Sequence, residues 1–237
     1  MPLINKCRIV NFRYNNGKRL IADELFDFCN SSNNSITNTL IDMANGVGKT
    51  VMVQLMLQPI IPNASVSGRK IQTYFKNSSD HTYILLEWLK DNSNEKLLTG
   101  IALEAGEELV NDSESNNSGR KIKYYTFIAN YAGNPEYDIA NIELSKKNEL
   151  KAFEPASYSF IRDKYKRHNK FIIFSSEENR NYGKKLAEYG ILQTEWHSVM
   201  EKLNAKEGGI SDFFEEFKNS DALIDKLLIP TIERRID

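Results

Sequence analysis

The sequence predicts a mixed α/β fold, and three observations support this prediction. An apolar run, a glycine-bearing turn and a helical pattern follow one another over residues 39–58. Residues 82–144 then contain β-rich runs separated by short polar turns, which is typical of an antiparallel meander. From about residue 150 the composition becomes helical. We therefore expect a single domain with a strand-rich part over 1–150 and a helical part over 151–237.

The first sixty residues predict a β-hairpin, a third strand and one helix. Alternation of polar and apolar residues indicates the strands, and Asn16-Gly17 is a hairpin signal. Pro59 and Pro62 stop the growth of the helix. The predicted strands are Cys7–Phe12, Leu20–Phe28 and Ser35–Asp42, and the predicted helix begins at about Lys49 and ends at Gln58.

The later elements are predicted from the same patterns. Phe12 and Trp88 are predicted to lie in the core, and residues 104–120 to form an exposed polar loop. Gly190 is expected to cap the helix before it. The predicted strands are 82–89, 96–103, 121–131, 137–144 and 171–174, and the predicted helices are 69–75, 157–168, 178–188, 192–204, 210–217 and 221–228.

The segment Thr39–Val51 has the layout of a phosphate-binding loop, with a strand, a glycine turn, Lys-Thr and a helix. Gly46 and Gly48 lack Cβ atoms, so their backbone N–H groups can approach phosphate oxygens closely. The helix dipole places its positive end at the same anion. Lys49 is predicted to reach the β- and γ-phosphates of ATP, and the Thr50 hydroxyl to ligate Mg²⁺. The predicted ATP-binding residues of this segment are Asn45, Gly46, Val47, Gly48, Lys49, Thr50 and Val51.

One position departs from the full phosphate-loop pattern. That pattern requires a glycine at position 43, where this chain has Met43. The first glycine serves the geometry of the loop, whereas the later part of the turn holds the phosphates. The alternative interpretation is an ordinary glycine turn between a strand and a helix.

Composition and charge exclude several classes of protein. A hydrophobic fraction of 41% and a charged fraction of 27% are typical of a globular protein, and a net charge of −1 provides no global basic field for nucleic acid. Cys7 and Cys29 are far from any metal-ligand spacing, and two cysteines favour a reducing cytoplasm. The three histidines are scattered, so neither a zinc site nor a histidine triad is predicted. No signal peptide and no apolar run of roughly 20 residues is visible, so no membrane partner is expected.

Two groups of residues resemble a known family. Asn11-Phe12-Arg13 at the end of the first strand, followed by Asn45–Thr50, resembles the N-terminal half of an SMC-type ATPase head of the ABC class. Residues 184–191, 208–211 and 227–230 are similar to the corresponding stretch of MukB-like SMC proteins. These proteins include the SMC subunits of the Wadjet and Lamassu anti-plasmid and anti-phage systems.

The resemblance implies an ATPase half-site. It implies an N-terminal head lobe that binds ATP and Mg²⁺ and leads, near Pro230–Asp237, into an antiparallel coiled coil. The implied partners are a C-terminal lobe of the same protein, a second head in a homodimer, a kleisin-type subunit and nucleoid DNA. The signature motif and the Walker B acid belong to the C-terminal lobe, so no catalytic residue is assigned in this chain. The loop expected to carry the metal-contacting glutamine holds Ser175, Ser176 and Glu177 instead.

Arg13 and a basic cluster are further candidates for binding residues. In related heads the arginine after Asn-Phe reaches toward the nucleotide phosphates, while the alternative for Arg13 is a surface residue in a hairpin. Basic residues interleaved with Tyr165 suit contact with DNA phosphates, while the alternative is a solvated helix face. The residues of this basic cluster are Arg162, Lys164, Lys166 and Arg167.

Two other functional classes remain open from the sequence. The first is a self-contained phosphate-loop enzyme such as a nucleotide kinase or a GTPase. The meander after the loop and the lack of an Asn-Lys-x-Asp stretch argue against it. The second is a non-catalytic interaction module in which the loop is degenerate.

Overall fold

The structure is a computed structural model that describes residues 2–15, 17–30, 35–36, 39, 41, 48–66, 69–75, 81–90, 95–108, 120–147 and 153–204. The described part is a mixed α/β fold with a six-stranded antiparallel sheet. Its strands are β1 (Leu3–Tyr14), β2 (Arg19–Asp27), β3 (Cys29–Asn30), β4 (Ser35–Ile36), β5 (Thr82–Leu89), β6 (Glu95–Glu108), β7 (Arg120–Ala132), β8 (Ser145–Lys147), β9 (Phe153–Pro155) and β10 (Phe171–Ser175). Its helices are α1 (Lys49–Leu57), α2 (Tyr158–Tyr165), α3 (Asn179–Glu188) and α4 (Gln193–Asn204), with 3₁₀ helices at Ile71–Phe75 and Ser176–Glu178.

The six-stranded sheet has the order β10-β7-β6-β5-β1-β2. Every strand pairing among the described residues is antiparallel, including the two short pairs β3-β4 and β8-β9. Strand β5 is central, and its residues from Thr82 to Trp88 are all buried. A mostly apolar run, interrupted here by the buried Glu87, is typical of a strand covered on both faces. The predicted antiparallel meander is confirmed for β5, β6 and β7, which pair with one another in sequence order.

The chain divides into two compact units. The first comprises Met1–Ser65 and Arg69–Gln193, and it contains the whole six-stranded sheet. Its core is formed by apolar side chains of the sheet and of α2, with Phe12 and Trp88 each 1% exposed as predicted. The second comprises Val66–Gly68 and Thr194–Asp237, in which α4 carries most of the described residues. The predicted division near residue 150 stays a prediction.

Several helix boundaries agree with the sequence signals. Helix α1 begins at Lys49 and ends at Leu57, just before Pro59. Helix α3 ends at Glu188, and Gly190 adopts φ +77°, which fits the predicted glycine cap. The described part of the chain contains no helix that is long and apolar enough to cross a membrane. The predicted helices 210–217 and 221–228 and the coiled-coil start at 230–237 lie outside the described residues.

The predicted strand at 137–144 is wrong, because these residues form turns. The Asp138 carboxylate accepts hydrogen bonds from the backbone N–H groups of Ala140 (2.9 Å) and Asn141 (2.6 Å). The Ile142 N–H bonds to the Asp138 carbonyl at 3.0 Å. An aspartate side chain that satisfies nearby amides competes with a strand ladder, so the chain turns here.

Two other strand predictions need correction. Strand β6 continues to Glu108, so the polar loop predicted over 104–120 begins later than expected, and residues 109–119 lie outside the described part. The strand predicted over 35–42 is described only at Ser35–Ile36, where it pairs with β3. Thr39 and Ile41 are exposed and belong to no strand.

Candidate functional site

The predicted phosphate loop ends at the first residue of helix α1. Gly48 is the N-cap of this helix, with φ 106° and ψ 30°, in the left-handed region. A glycine reaches this conformation without the steric cost that a Cβ imposes. Asn45, Gly46 and Val47 lie outside the described residues, so only the end of the predicted turn is described.

The first turn of α1 presents two polar side chains to solvent. Lys49 and Thr50 are exposed, whereas Val51 is buried. The Met52 N–H bonds to the Gly48 carbonyl at 2.9 Å, so the amides that precede Met52 have no acceptor within the helix. The first turn contains no acidic residue. This helix terminus therefore offers backbone donors, an ammonium group and a hydroxyl to an anion.

The end of strand β1 lies against this helix terminus. A Cβ added to Gly48 would lie 3.1 Å from a ring carbon of Tyr14. Arg13, next to Tyr14, is exposed and has no ion pair among the residues that the structure describes. The first carboxylate of the sequence is Asp23, so residues 1–22 carry only cationic side chains among their charged groups. Arg13 thus precedes in sequence the residue that contacts Gly48.

Two buried glutamines fix the C-terminal half of α1. Gln54 and Gln58 are both fully buried. The Gln54 side-chain amide donates to the carbonyls of Arg69 (2.7 Å) and Ala64 (3.1 Å), and Gln58 donates to the Ala64 carbonyl at 2.9 Å. The sequence interpretation missed these residues, although two glutamines four positions apart in the otherwise apolar run 51–58 were a visible signal. They tie the C-terminal end of α1 to the backbone of Ala64 and Arg69.

In the loop expected to carry the metal-contacting glutamine, the polar side chains bond to one another. Ser175 ends β10, and Ser176 begins a 3₁₀ helix with Glu177. The Glu178 carboxylate accepts hydrogen bonds from the Ser175 N–H (2.9 Å) and hydroxyl (3.0 Å). These bonds lower the pKa of Glu178. Ser175 therefore acts as a helix cap, with its hydroxyl engaged locally.

The predicted DNA-binding cluster lies on and just after α2, and most of its charge is offset. Arg162 pairs with Asp163 at 2.9 Å, Lys164 with Glu143 at 2.8 Å, and Arg167 with Glu136 at 3.0 Å. The hydrogen bond to Glu143 raises the pKa of Lys164. Lys166 is exposed and has no ion pair within the described ranges.

The aromatic residue of this cluster is not available to a ligand. Tyr165 is fully buried, and its hydroxyl accepts a hydrogen bond from the Glu143 N–H at 2.9 Å. The interleaved tyrosine that suited a nucleic-acid contact in the sequence is therefore part of the core. The DNA-binding role of the four cations stays a prediction.

Comparison with known proteins leaves the family open. No protein-family model matches the chain, and no curated protein matches it. The SMC-like assignment therefore depends on the quoted motifs and stays a prediction. Among the described residues, no group of three or more His, Cys, Asp or Glu side chains is placed to hold a metal ion.

Proposed function

We propose that this chain binds Mg²⁺-ATP and acts as the N-terminal half of an SMC-like ATPase head. The observation that carries the proposal is the junction at Gly48. A left-handed glycine there caps α1, and Lys49 and Thr50 follow it as exposed residues of the first turn. This is the arrangement that a phosphate-binding loop requires at its end.

The described residues fit a bound Mg²⁺-ATP. The Tyr14 ring would crowd a Cβ at Gly48, so this position, which also has a positive φ, favours glycine, as the phosphate-loop pattern requires. Lys49 would neutralise phosphate charge, and the Thr50 hydroxyl would ligate the metal. Arg13 would add a second cation from β1. The bound metal would supply charge neutralisation at the phosphates.

The antiparallel sheet supports an SMC-like head over a self-contained kinase or GTPase. In those enzymes the helix after the phosphate loop leads back into a parallel sheet. Here α1 leads to the 3₁₀ helix Ile71–Phe75 and then to β5, which pairs antiparallel on both sides. The proposed head would present ATP to a C-terminal lobe and to a second head, in a protein that loads or moves DNA for chromosome maintenance or for defence against plasmids or phages.

Turnover measured at several protein concentrations tests the half-site character. The isolated chain contains no assigned Walker B acid or signature motif, so we expect nucleotide binding with very slow hydrolysis. Adding the C-terminal lobe is expected to increase the rate, with a dependence on protein concentration that reflects head pairing. Rapid hydrolysis by this chain alone, at a specific rate independent of concentration, would contradict the proposal.

A further inference from the structure

Asn11 adopts a backbone conformation that is unusual within a strand. It lies inside β1 with φ +54° and is only 3% exposed. The other described non-glycine residues with positive φ, Asn15 and Asn63, are exposed and lie in turns. A buried left-handed residue persists only where its surroundings hold it in place. The pairing of β1 with β5 ends at Val10, whereas its pairing with β2 continues to Tyr14, so Asn11 marks the point where β1 parts from β5.

Two hydrogen bonds hold Asn11 against the start of β5. Its side-chain amide donates to the His81 carbonyl at 2.9 Å. Its own carbonyl accepts from the Thr82 hydroxyl at 2.7 Å, and Thr82 is 2% exposed. The side-chain amide and the backbone carbonyl of Asn11 therefore both have partners in one neighbouring segment, and these bonds tie this point of β1 to the start of β5.

The three residues after Asn11 connect it to the candidate site. Phe12 packs edge-on against Phe75, with ring centroids 6.4 Å apart, and stacks on Tyr14 at 6.2 Å. Tyr14 in turn contacts Gly48 at the start of α1. Arg13 lies between the two aromatic residues and is exposed.

We propose that Asn11 is a positioning residue for nucleotide binding. Its hydrogen bonds to His81 and Thr82 hold the Arg13–Tyr14 end of β1 against Gly48. The backbone of Arg13, the residue before Tyr14, is thereby held in place, and Tyr14 limits the conformations of Gly48. This inference depends on the proposed function, because it concerns the affinity of the same site for Mg²⁺-ATP.

Calorimetric titration with Mg²⁺-ATP tests the inference through a double-mutant cycle. Asn11→Gly allows the positive φ but removes the amide, and Asn63→Gly is the matched control at another positive-φ asparagine. We expect Asn11→Gly to weaken binding about tenfold, and Asn63→Gly to leave it unchanged. In an Arg13→Ala background the effect of Asn11→Gly is expected to shrink, because Asn11 acts through the segment that carries Arg13.

A second variant and a stability readout keep the test independent of folding defects. Thr82→Val removes the hydroxyl that donates to the Asn11 carbonyl. This variant is used in place of Asn11→Gly if Asn11→Gly does not fold. All titrations are made at a temperature where thermal unfolding without nucleotide shows each variant fully folded. Wild-type affinity for Mg²⁺-ATP in both variants would overturn the positioning role. Fully additive losses of binding free energy when either variant is combined with Arg13→Ala would overturn it too. If the wild-type chain does not bind Mg²⁺-ATP, or if Lys49→Ala binds as tightly as wild type, the proposed function itself fails.

Discussion

The Tyr14 ring occupies the space next to the α-carbon of Gly48, where an added Cβ would lie 3.1 Å from the nearest ring carbon. Tyr14 is at the end of β1, and Gly48 caps α1. This contact joins the first strand of the sheet to the only predicted phosphate-binding helix. More than thirty residues separate Tyr14 from Gly48 in the sequence, so the contact depends on the tertiary fold.

Replacement of Gly48 by alanine tests the contact and the left-handed backbone together. A Cβ at φ 106° is strained, and the Tyr14 ring must move to admit it. Gly133→Ala is the control, because Gly133 has φ +71° but open space around it. We expect Gly133→Ala to lower the free energy of unfolding by about 1 kcal/mol and Gly48→Ala by about 2 kcal/mol in urea titrations. Equal losses of unfolding free energy in the two variants would show that the contact with Tyr14 does not affect stability.

Substitution of Thr50 by valine separates metal binding from phosphate binding. The two side chains have similar shapes, but valine lacks the hydroxyl that is proposed to ligate Mg²⁺. We expect wild-type affinity for ATP to fall when EDTA removes Mg²⁺, and Thr50→Val to show a much smaller dependence on Mg²⁺. Fluorescence titration with and without EDTA measures the affinity for ATP of wild type and of Thr50→Val. A full Mg²⁺ dependence in Thr50→Val would exclude the hydroxyl as a ligand.

The Arg8–Asp23 pair is expected to make the stability of the fold decrease at acidic pH. The Arg8 guanidinium bonds both Asp23 carboxylate oxygens at 2.8 and 2.9 Å, and it also donates to the carbonyls of Ile139 and Ile142. Partial burial alone raises the pKa of Asp23, but the hydrogen bond and the charge of Arg8 outweigh it and lower the pKa below 3.8. The stabilisation is therefore complete above the pKa of the unfolded state, near 4, and is lost as pH falls through the lower folded value.

Asp23→Asn is expected to remove part of this acid sensitivity. The slope of the unfolding free energy against pH should become smaller below about pH 4 in the variant. Glu24→Gln, which changes an exposed carboxylate of the same strand, is the control. Urea titrations between pH 2.5 and 6 (about the range where carboxylates titrate) measure the slope. Identical slopes in wild type and Asp23→Asn would contradict the assignment.

The basic cluster on α2 can be tested by charge reversal. Lys164→Glu with Arg167→Glu removes two cations that already have carboxylate partners, Glu143 and Glu136. If the cluster binds DNA, the double variant should bind more weakly, and its plot of log K against log salt should have a slope smaller by about 2. Arg180→Glu with Lys184→Glu on α3 provides the same charge change elsewhere. An unaltered salt titration would show that the cluster does not contact DNA.

Local patterns were sufficient for most of the sheet and for the limits of α1. Alternation and continuous apolar runs locate β1, β5, β7 and β10, because the strand period is a local property. Pro59 marks the end of α1 in the same way. The failure at 137–144 has a local cause that the apolar pattern concealed, since the Asp138 carboxylate satisfies the amides that a strand would pair.

The candidate site was less predictable than the strands. The motif identifies Gly48, Lys49 and Thr50, but it contains no information on Tyr14, which reaches Gly48 from another element. Ion pairs such as Lys164–Glu143 join residues about twenty positions apart, so their neutralising effect on the basic cluster depends on the tertiary fold. The left-handed Asn11 likewise depends on β5, since its partners follow it by about seventy residues.

Calorimetry of Mg²⁺-ATP binding to the wild-type chain and to Lys49→Ala measures whether the first turn of α1 holds the phosphates of the nucleotide. Lys184→Ala, at an exposed lysine on α3, is the matched control. We predict that wild type and Lys184→Ala bind Mg²⁺-ATP alike, and that Lys49→Ala weakens binding at least about a hundredfold, at a temperature where thermal unfolding without nucleotide shows all three proteins fully folded. Equal affinity of Lys49→Ala and wild type, or no binding by the wild-type chain, would contradict the account of this segment as a nucleotide-binding half-site.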